Sequence, residues 1–269
     1  MSRPENLRTL KSLGQHFLVD KGIVRRIADA GEVKNGDTVV EVGPGRAILT
    51  EALLEKGAQV IALELDRGLF AELSERFADD PRITLHHTDA LKFAMDGVPT
   101  PYKVVANLPY QITTPLLFHF LESVPLPSEI VVMIQYEVAQ RILAQPGTKE
   151  YGVLTLGVQV RAEASRCFTV PPGAFRPPPK VKSAVIRITP RKTPLLSGQE
   201  LENFMAVVRA AFGARRKTLK KALGRLNLPT EQIVEALAQA DIDPQIRGER
   251  LDLETFTRLT RALFPQKSD

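Results

Sequence analysis

Glu41-Val42-Gly43-Pro44-Gly45-Arg46-Ala47 is the segment that most narrows what this chain can fold into. It ends residues 37–42, a short apolar run that reads as a buried strand stopped at Gly43. It opens residues 48–55, a predicted helix with Leu49, Leu53 and Leu54 on one face. Glycines between a strand and a helix let the backbone turn sharply and approach a ligand closely. Further strands are predicted at residues 59–64, 83–87, 102–106, 130–136 and 183–189, and helices at 21–30 and 69–77. Alternation at this spacing implies βαβ units and a mainly parallel sheet. Residues 190–199 read as a linker, and the pattern is helical from Glu200 onward. The expected domains are an α/β domain over 1–190 and a small helical domain over 191–269.

The glycine loop lacks the full dinucleotide pattern, because Ile48 occupies its last place. Pyrophosphate binding is therefore disfavoured. Ala47, at the third small position, still allows close packing. Glu64 ends the second strand, where a carboxylate can accept hydrogen bonds from both ribose hydroxyls of a nucleoside. Asp89, just after the third strand, can accept from an adenine amino group. A surface or N-cap aspartate is the plain alternative there. On these residues alone, NAD and S-adenosylmethionine both fit.

Asn107-Leu108-Pro109-Tyr110 ends the fourth strand. Adenine N6 is a poor nucleophile because its lone pair is delocalised into the ring. Two acceptors can orient that lone pair by holding the amino hydrogens. The Asn107 side-chain oxygen supplies one and the Leu108 or Pro109 carbonyl the other. Pro109 stiffens the turn, and Tyr110 offers a flat face to an extruded base. Catalysis of this kind is mostly positioning and dipole alignment, without a strong base.

The formal net charge is +5, and the distribution matters more than the sum. Arg209, Arg215, Arg216, Lys217, Lys220, Lys221 and Arg225 fall within residues 209–225, with no acidic residue among them. This is the candidate RNA-binding run, and Arg215, Arg216 and Lys217 are expected to fan around a helix. Phe175 sits in the proline-rich residues 171–179 and is a candidate for base stacking, with a loop anchor in the core as its alternative. Cys167, the single cysteine, reads as a small packing residue and fits a reducing cytoplasm. No apolar run is long enough to span a membrane, and no signal peptide is read at the polar N-terminus. His86 and His87 point to opposite faces of a strand, so no metal site is expected. Gly147-Thr148-Lys149 lacks Walker spacing and reads as a mobile surface loop.

Taken together, Gly14-Gln15-His16-Phe17-Leu18, the glycine loop, Glu64, Asp89, Asn107–Tyr110, residues 170–181 and residues 212–219 carry a specific resemblance over nearly the whole chain. The chain resembles the small-subunit ribosomal RNA adenine-N6,N6-dimethyltransferases of the kasugamycin-sensitivity type. The resemblance implies a class I, Rossmann-like methyltransferase with a seven-stranded, mainly parallel sheet. It implies S-adenosylmethionine as cofactor, S-adenosylhomocysteine as product, and cofactor contacts at His16, Leu18, Gly43, Gly45, Glu64, Asp89 and Asn107. It also implies that Tyr110 and Phe175 flank the target adenine, and that two adjacent adenosines near the 3′ end of 16S rRNA are each dimethylated. His16 stands where the family more often has asparagine, and Ala47 where it has a third glycine. A cytoplasmic monomer is expected. The rival readings are a large-subunit rRNA methyltransferase of the antibiotic-resistance type, an inactive RNA-binding assembly factor, and a nicotinamide oxidoreductase, which Asn107–Tyr110 disfavours.

Overall fold

Asp20 starts the first helix by accepting the Gly22 and Ile23 backbone N–H groups on Oδ1, at 2.9 and 3.1 Å. This is a computed structural model, and it describes residues 16–265. Gly14 and Gln15 of the N-terminal motif lie outside the described residues. In chain order the elements begin with β1 (Phe17–Leu18), α1 (Lys21–Ala30), β2 (Thr38–Val42), α2 (Ile48–Glu55), β3 (Gln59–Glu64), α3 (Arg67–Arg76) and β4 (Ile83–His87). They continue with β5 (Tyr102–Asn107), α4 (Thr113–Leu121), β6 (Glu129–Gln135), α5 (Tyr136–Ile142), α6 (Val153–Gln159), β7 (Ala162–Val170), β8 (Phe175–Arg176) and β9 (Ser183–Pro190). The last helices are α7 (Gly198–Phe212), α8 (Leu219–Leu223), α9 (Thr230–Gln239) and α10 (Leu253–Leu263).

Seven strands form one sheet in the order β4-β3-β2-β5-β6-β9-β7. The pairs β2–β3, β2–β5, β3–β4 and β5–β6 are parallel, whereas β6–β9 is antiparallel with Gln135 opposite Ser183. The central strands read as continuous apolar runs because they are buried throughout, as strands covered on both faces must be. Val39, Val40, Val104, Val105 and the stretch from Ile130 to Ile134 are fully buried. A separate two-stranded sheet pairs β1 with β8, and places Leu18 opposite Phe175.

Three expectations need correction. Strand β7 is the seventh strand that the resemblance implies, at residues where no strand is read because they carry no clean alternation. It is the last strand in the sheet order, and most of its residues are at least partly exposed. Cys167 lies on that strand and is exposed, so it is not a packing residue. The third concerns the domains. The chain divides into residues up to Ala139 with Ser165–Pro190, and Gln140–Ala164 with the residues from Arg191 onward. Residues 140–164 thus leave the expected 1–190 domain. The physical reason is their apolar side chains. Ala144, Tyr151, Leu156 and Val160 share one buried cluster with Phe204, Leu237 and Phe256 of the helical unit. Among the described residues, no helix is long and apolar enough to cross a membrane.

Candidate active site

The glycine loop leaves β2 through alternate left-handed residues: Gly43 at φ +63°, Gly45 at +59° and Ala47 at +63°. Gly43 and Gly45 take this conformation at no steric cost, whereas Ala47 bears a strained one in a fully buried position. The Gly43 N–H donates to the Leu63 carbonyl at 2.9 Å, which ties the loop to the end of β3. A methyl group added at Gly43 would lie 3.9 Å from the Pro109 ring. The cofactor loop and the expected chemistry loop therefore face each other at the ends of adjacent strands. A methyl group at Gly45 would come within 3.3 Å of the Phe17 ring, over which the Arg46 guanidinium also sits.

Glu64 ends β3 and is only 5% exposed. Its Oε2 accepts the Gly45 N–H at 3.3 Å and its Oε1 accepts the Asp66 N–H at 2.8 Å. The carboxylate keeps acceptor capacity beyond these bonds, so the group fits a ligand hydroxyl. Burial pushes its pKa up, and the backbone N–H groups of Asp66, Gly45 and Leu65 oppose that shift. Leu65 follows it with 63% of its surface exposed, a large apolar side chain beside a polar site. Asp89 is half-buried and uses Oδ1 to accept the Leu91 N–H at 3.0 Å, so it closes its own turn.

Beneath the loop stands a carboxyl group that the sequence pattern did not single out. Glu41 is 2% exposed and accepts the Thr50 hydroxyl at 2.7 Å. Burial pushes its pKa up to about 8, with the Thr50 bond lowering it and the neighbouring Glu64 raising it. The available signal was an acidic residue inside the apolar run of β2.

Asn107 is the last residue of β5, half-buried and opposite Met133 in register. The Leu108 N–H donates to the Met133 carbonyl at 3.1 Å, and the Leu108 side chain is buried. These contacts hold the start of the loop to β6. The Pro109 carbonyl accepts twice, from the Ile112 N–H at 3.2 Å and the Thr113 hydroxyl at 3.1 Å. Both lone pairs of the Pro109 carbonyl are thereby engaged, so it is not free to accept from a ligand amine. Tyr110 is half-buried on a single 3₁₀ turn, and its hydroxyl lies 2.6 Å from Ser183 Oγ. Burial raises its pKa.

Of the other expected contacts, His16 donates from Nδ1 to the Pro177 carbonyl at 2.8 Å, with its ring 6.2 Å from that of Tyr110. Leu18 is 5% exposed with its side chain in the sheet core, so only its backbone can face a ligand. Phe175 is 1% exposed and packs in the same core with Leu18, Val170 and Ala174. It is an anchor, which corrects the stacking expectation: a ring enclosed on all sides presents no face to a base. Phe17 beside Gly45, Thr113 beneath Pro109 and Ser183 behind Tyr110 were missed. Only Phe17, inside the N-terminal motif, had a local signal.

In the helical unit, Arg215, Arg216 and Lys217 stand in the turn between α7 and α8, not around a helix. Glycine at 213 ends α7 there. Arg215 donates to the Lys149 and Tyr151 carbonyls at 2.8 and 2.6 Å. It is a clamp on residues 149–151. The Gly147 N–H donates to the Glu249 carbonyl at 2.7 Å, so that loop is tied down as well. Arg209, Arg216, Lys217 and Lys221 are exposed, and Lys220 is half-buried.

Comparison with known proteins agrees with this geometry. The sequence model of the family described as ribosomal RNA adenine dimethylase matches residues 6–264. The ribosomal RNA small subunit methyltransferase A of Moorella thermoacetica is 47% identical, covering 97% of this chain and 94% of that relative. A dimethyladenosine transferase from Plasmodium falciparum has a similar structure, with a TM-score of 0.80 and 27% identity over 91% of this chain and 96% of that one. The 23S rRNA methyltransferase ErmE follows with a TM-score of 0.71 and 29% identity over 92% of this chain and 99% of that one. A mainly parallel seven-stranded sheet, an Asn-Leu-Pro-Tyr loop facing a glycine loop, and a family match over nearly the full length lead to one conclusion: the chain belongs to the ribosomal RNA adenine dimethylase family.

Proposed function

We propose that this protein transfers methyl groups from S-adenosylmethionine to N6 of two adjacent adenosines near the 3′ end of small-subunit (16S) rRNA, during subunit assembly. The observation that carries the reading is the approach of the Pro109 ring, within the Asn107–Tyr110 loop, to Gly43 across adjacent strand ends. The names of its relatives favour the small subunit over the large one.

Gly43, Gly45, Glu64, Asp89 and Asn107, with the backbone of His16 and Leu18, would hold the cofactor. Its fit rests on the residual acceptor capacity of the buried Glu64 carboxylate and on the positive φ of Gly43 and Gly45, which lets the backbone approach a ligand closely. When bound, S-adenosylmethionine supplies an electrophilic methyl group on a sulfonium sulfur. Glu64 would accept the ribose hydroxyls, and Leu65 would offer an apolar face to the adenine ring. Asn107 Oδ1 and the Leu108 carbonyl would accept the two N6 hydrogens of the target and turn its lone pair outward. Tyr110 would stack on the extruded base. The methylated amine is acidic enough to lose its proton to water or to these same acceptors, so no side-chain base is required. For the second transfer, N6 keeps a single hydrogen and one acceptor goes unused.

Arg209, Arg216, Lys217, Lys220 and Lys221 would bind RNA phosphates, giving affinity and salt dependence without sequence reading. A monomer acting in the cytoplasm completes the proposal. The test is incubation with unmethylated small subunits and labelled S-adenosylmethionine, followed by nucleoside mass spectrometry and mapping of the modified nucleotides. N6,N6-dimethyladenosine at two neighbouring positions is expected, and no label in adenosine would overturn the reading. In a parallel incubation with unmethylated large subunits, label taken up there and not by small subunits would favour the relationship to ErmE instead.

A further inference from the structure

We infer that Ser183 is a positioning residue for the target base, acting through the hydroxyl of Tyr110; this rests on the stacking role proposed for Tyr110. Ser183 is fully buried, and its Oγ lies 2.6 Å from the Tyr110 hydroxyl. It is the first residue of β9, paired with Gln135 at the end of β6. The Tyr136 N–H donates to the Lys182 carbonyl at 3.0 Å and fixes the residue before it. Because β9 is antiparallel to β6, its beginning reaches the end of the sheet where β5 and β6 finish. The sheet order β5-β6-β9 thus delivers a buried hydroxyl from a distant part of the sequence to the loop that carries Asn107 and Tyr110.

Tyr110 needs such a tether. It rides on a single 3₁₀ turn and is only half-buried. Neither feature fixes the ring, because the second side-chain torsion of tyrosine has a broad, two-fold profile. A phenolic O–H lies in the plane of its ring. A hydrogen bond to a fixed partner therefore holds the end of the ring axis and also selects the plane, and hence the direction of the face. Burial raises the Tyr110 pKa, which keeps the hydroxyl protonated and able to donate.

The experiment measures steady-state methylation of unmethylated small subunits by the full chain and by its Ser183→Ala, Tyr110→Phe, double and Tyr110→Ala variants. Cofactor affinity is followed by calorimetry and folding by thermal melts. Ser183→Ala and Tyr110→Phe should each lower kcat on the order of tenfold, as a small misorientation of a reacting group does. KM for subunits and cofactor affinity should stay unchanged. The double variant should lose no more than either single one. Additive losses, a wild-type kcat in Ser183→Ala, or a Ser183→Ala loss seen only as a lower Tm and weaker cofactor binding would each overturn the positioning role. Full activity in Tyr110→Ala would overturn the stacking reading itself. An inactive Tyr110→Ala beside a fully active Ser183→Ala would overturn the role of Ser183 alone.

Discussion

The Thr113 hydroxyl donates to the Pro109 carbonyl at 3.1 Å, one turn of chain ahead of it, while the Ile112 N–H donates to the same oxygen. Thr113 is 1% exposed, so the bond is shielded from water. It fixes which backbone oxygen in the loop is free to meet a substrate. Thr113→Val keeps the shape and removes the donor. One lost hydrogen bond of about 1 kcal/mol should lower single-turnover methylation about fivefold. A rate equal to that of the wild type would rule out this division of labour between the two carbonyls.

Glu41 makes stability fall as pH rises. Its pKa is pushed up to about 8 in the fold, from 4.5 as its ordinary value. Between these values the folded chain holds a proton that the unfolded chain has lost. Stability therefore declines through that window, by at most about 1.4 kcal/mol per pH unit, and levels off above it. Glu41→Gln should flatten the slope, matching the wild type near pH 4 and exceeding it above pH 8. Urea melts across this range read the effect directly, and parallel curves for the two proteins would count against it.

Ala47 holds φ +63° in a fully buried position. Ala47→Gly relieves a left-handed strain of about 1–2 kcal/mol and gives back up to about 1 kcal/mol in unfolded-chain entropy. The expected net result is a modest rise in thermal stability with activity retained. A lower Tm would show that the Ala47 methyl contributes more by packing than the strain removes.

Arg215 and its neighbours should separate cleanly. Arg215→Ala loses both bonds to the Lys149 and Tyr151 carbonyls and should cost about 1–2 kcal/mol of stability. Arg216→Ala and Lys217→Ala should leave Tm unchanged. Each should weaken RNA binding and reduce the salt slope by about one. Filter binding at several salt concentrations, alongside melts, distinguishes clamp from contact.

Phe175 is a test of anchor against platform. Phe175→Ala should cost about 3–5 kcal/mol, as loss of a buried ring does. Phe175→Leu refills much of that volume and should keep most of the activity. An inactive but stable Phe175→Leu would return the ring to the substrate.

The legible parts of this chain were those in which backbone geometry dictates residue type. Gly43 and Gly45 could be read because their positive φ favours glycine, and the apolar runs of β2, β5 and β6 because they are buried almost throughout. Asn107–Tyr110 could be read because it ends a strand of the recognised order. Contacts between elements left no such mark. Ser183 lies far along the chain from Tyr110, and nothing in either local sequence names the other. Phe175 misled because prolines around an aromatic describe a loop and not its burial; its pairing with Leu18 through β1 and β8 decides that. The bonds of the exposed Arg215 to the Lys149 and Tyr151 carbonyls left no mark either, because a cation in a basic run looks like its neighbours until its partners are seen.

The place of β9 between β6 and β7 also sets a timetable for synthesis. Strand β7 precedes β9 in the chain yet lies beyond it in the sheet. Until residues 183–190 have emerged from the translating ribosome, β6 has one bare edge and β7 has no neighbour to join. At about 5–20 residues per second, that interval leaves apolar strand edges open to other nascent chains. Truncation anywhere before Ser183 should therefore yield aggregates and not a smaller active enzyme. The same strand also brings Ser183 to the Tyr110 hydroxyl, so the sheet closes and that contact forms in a single late event.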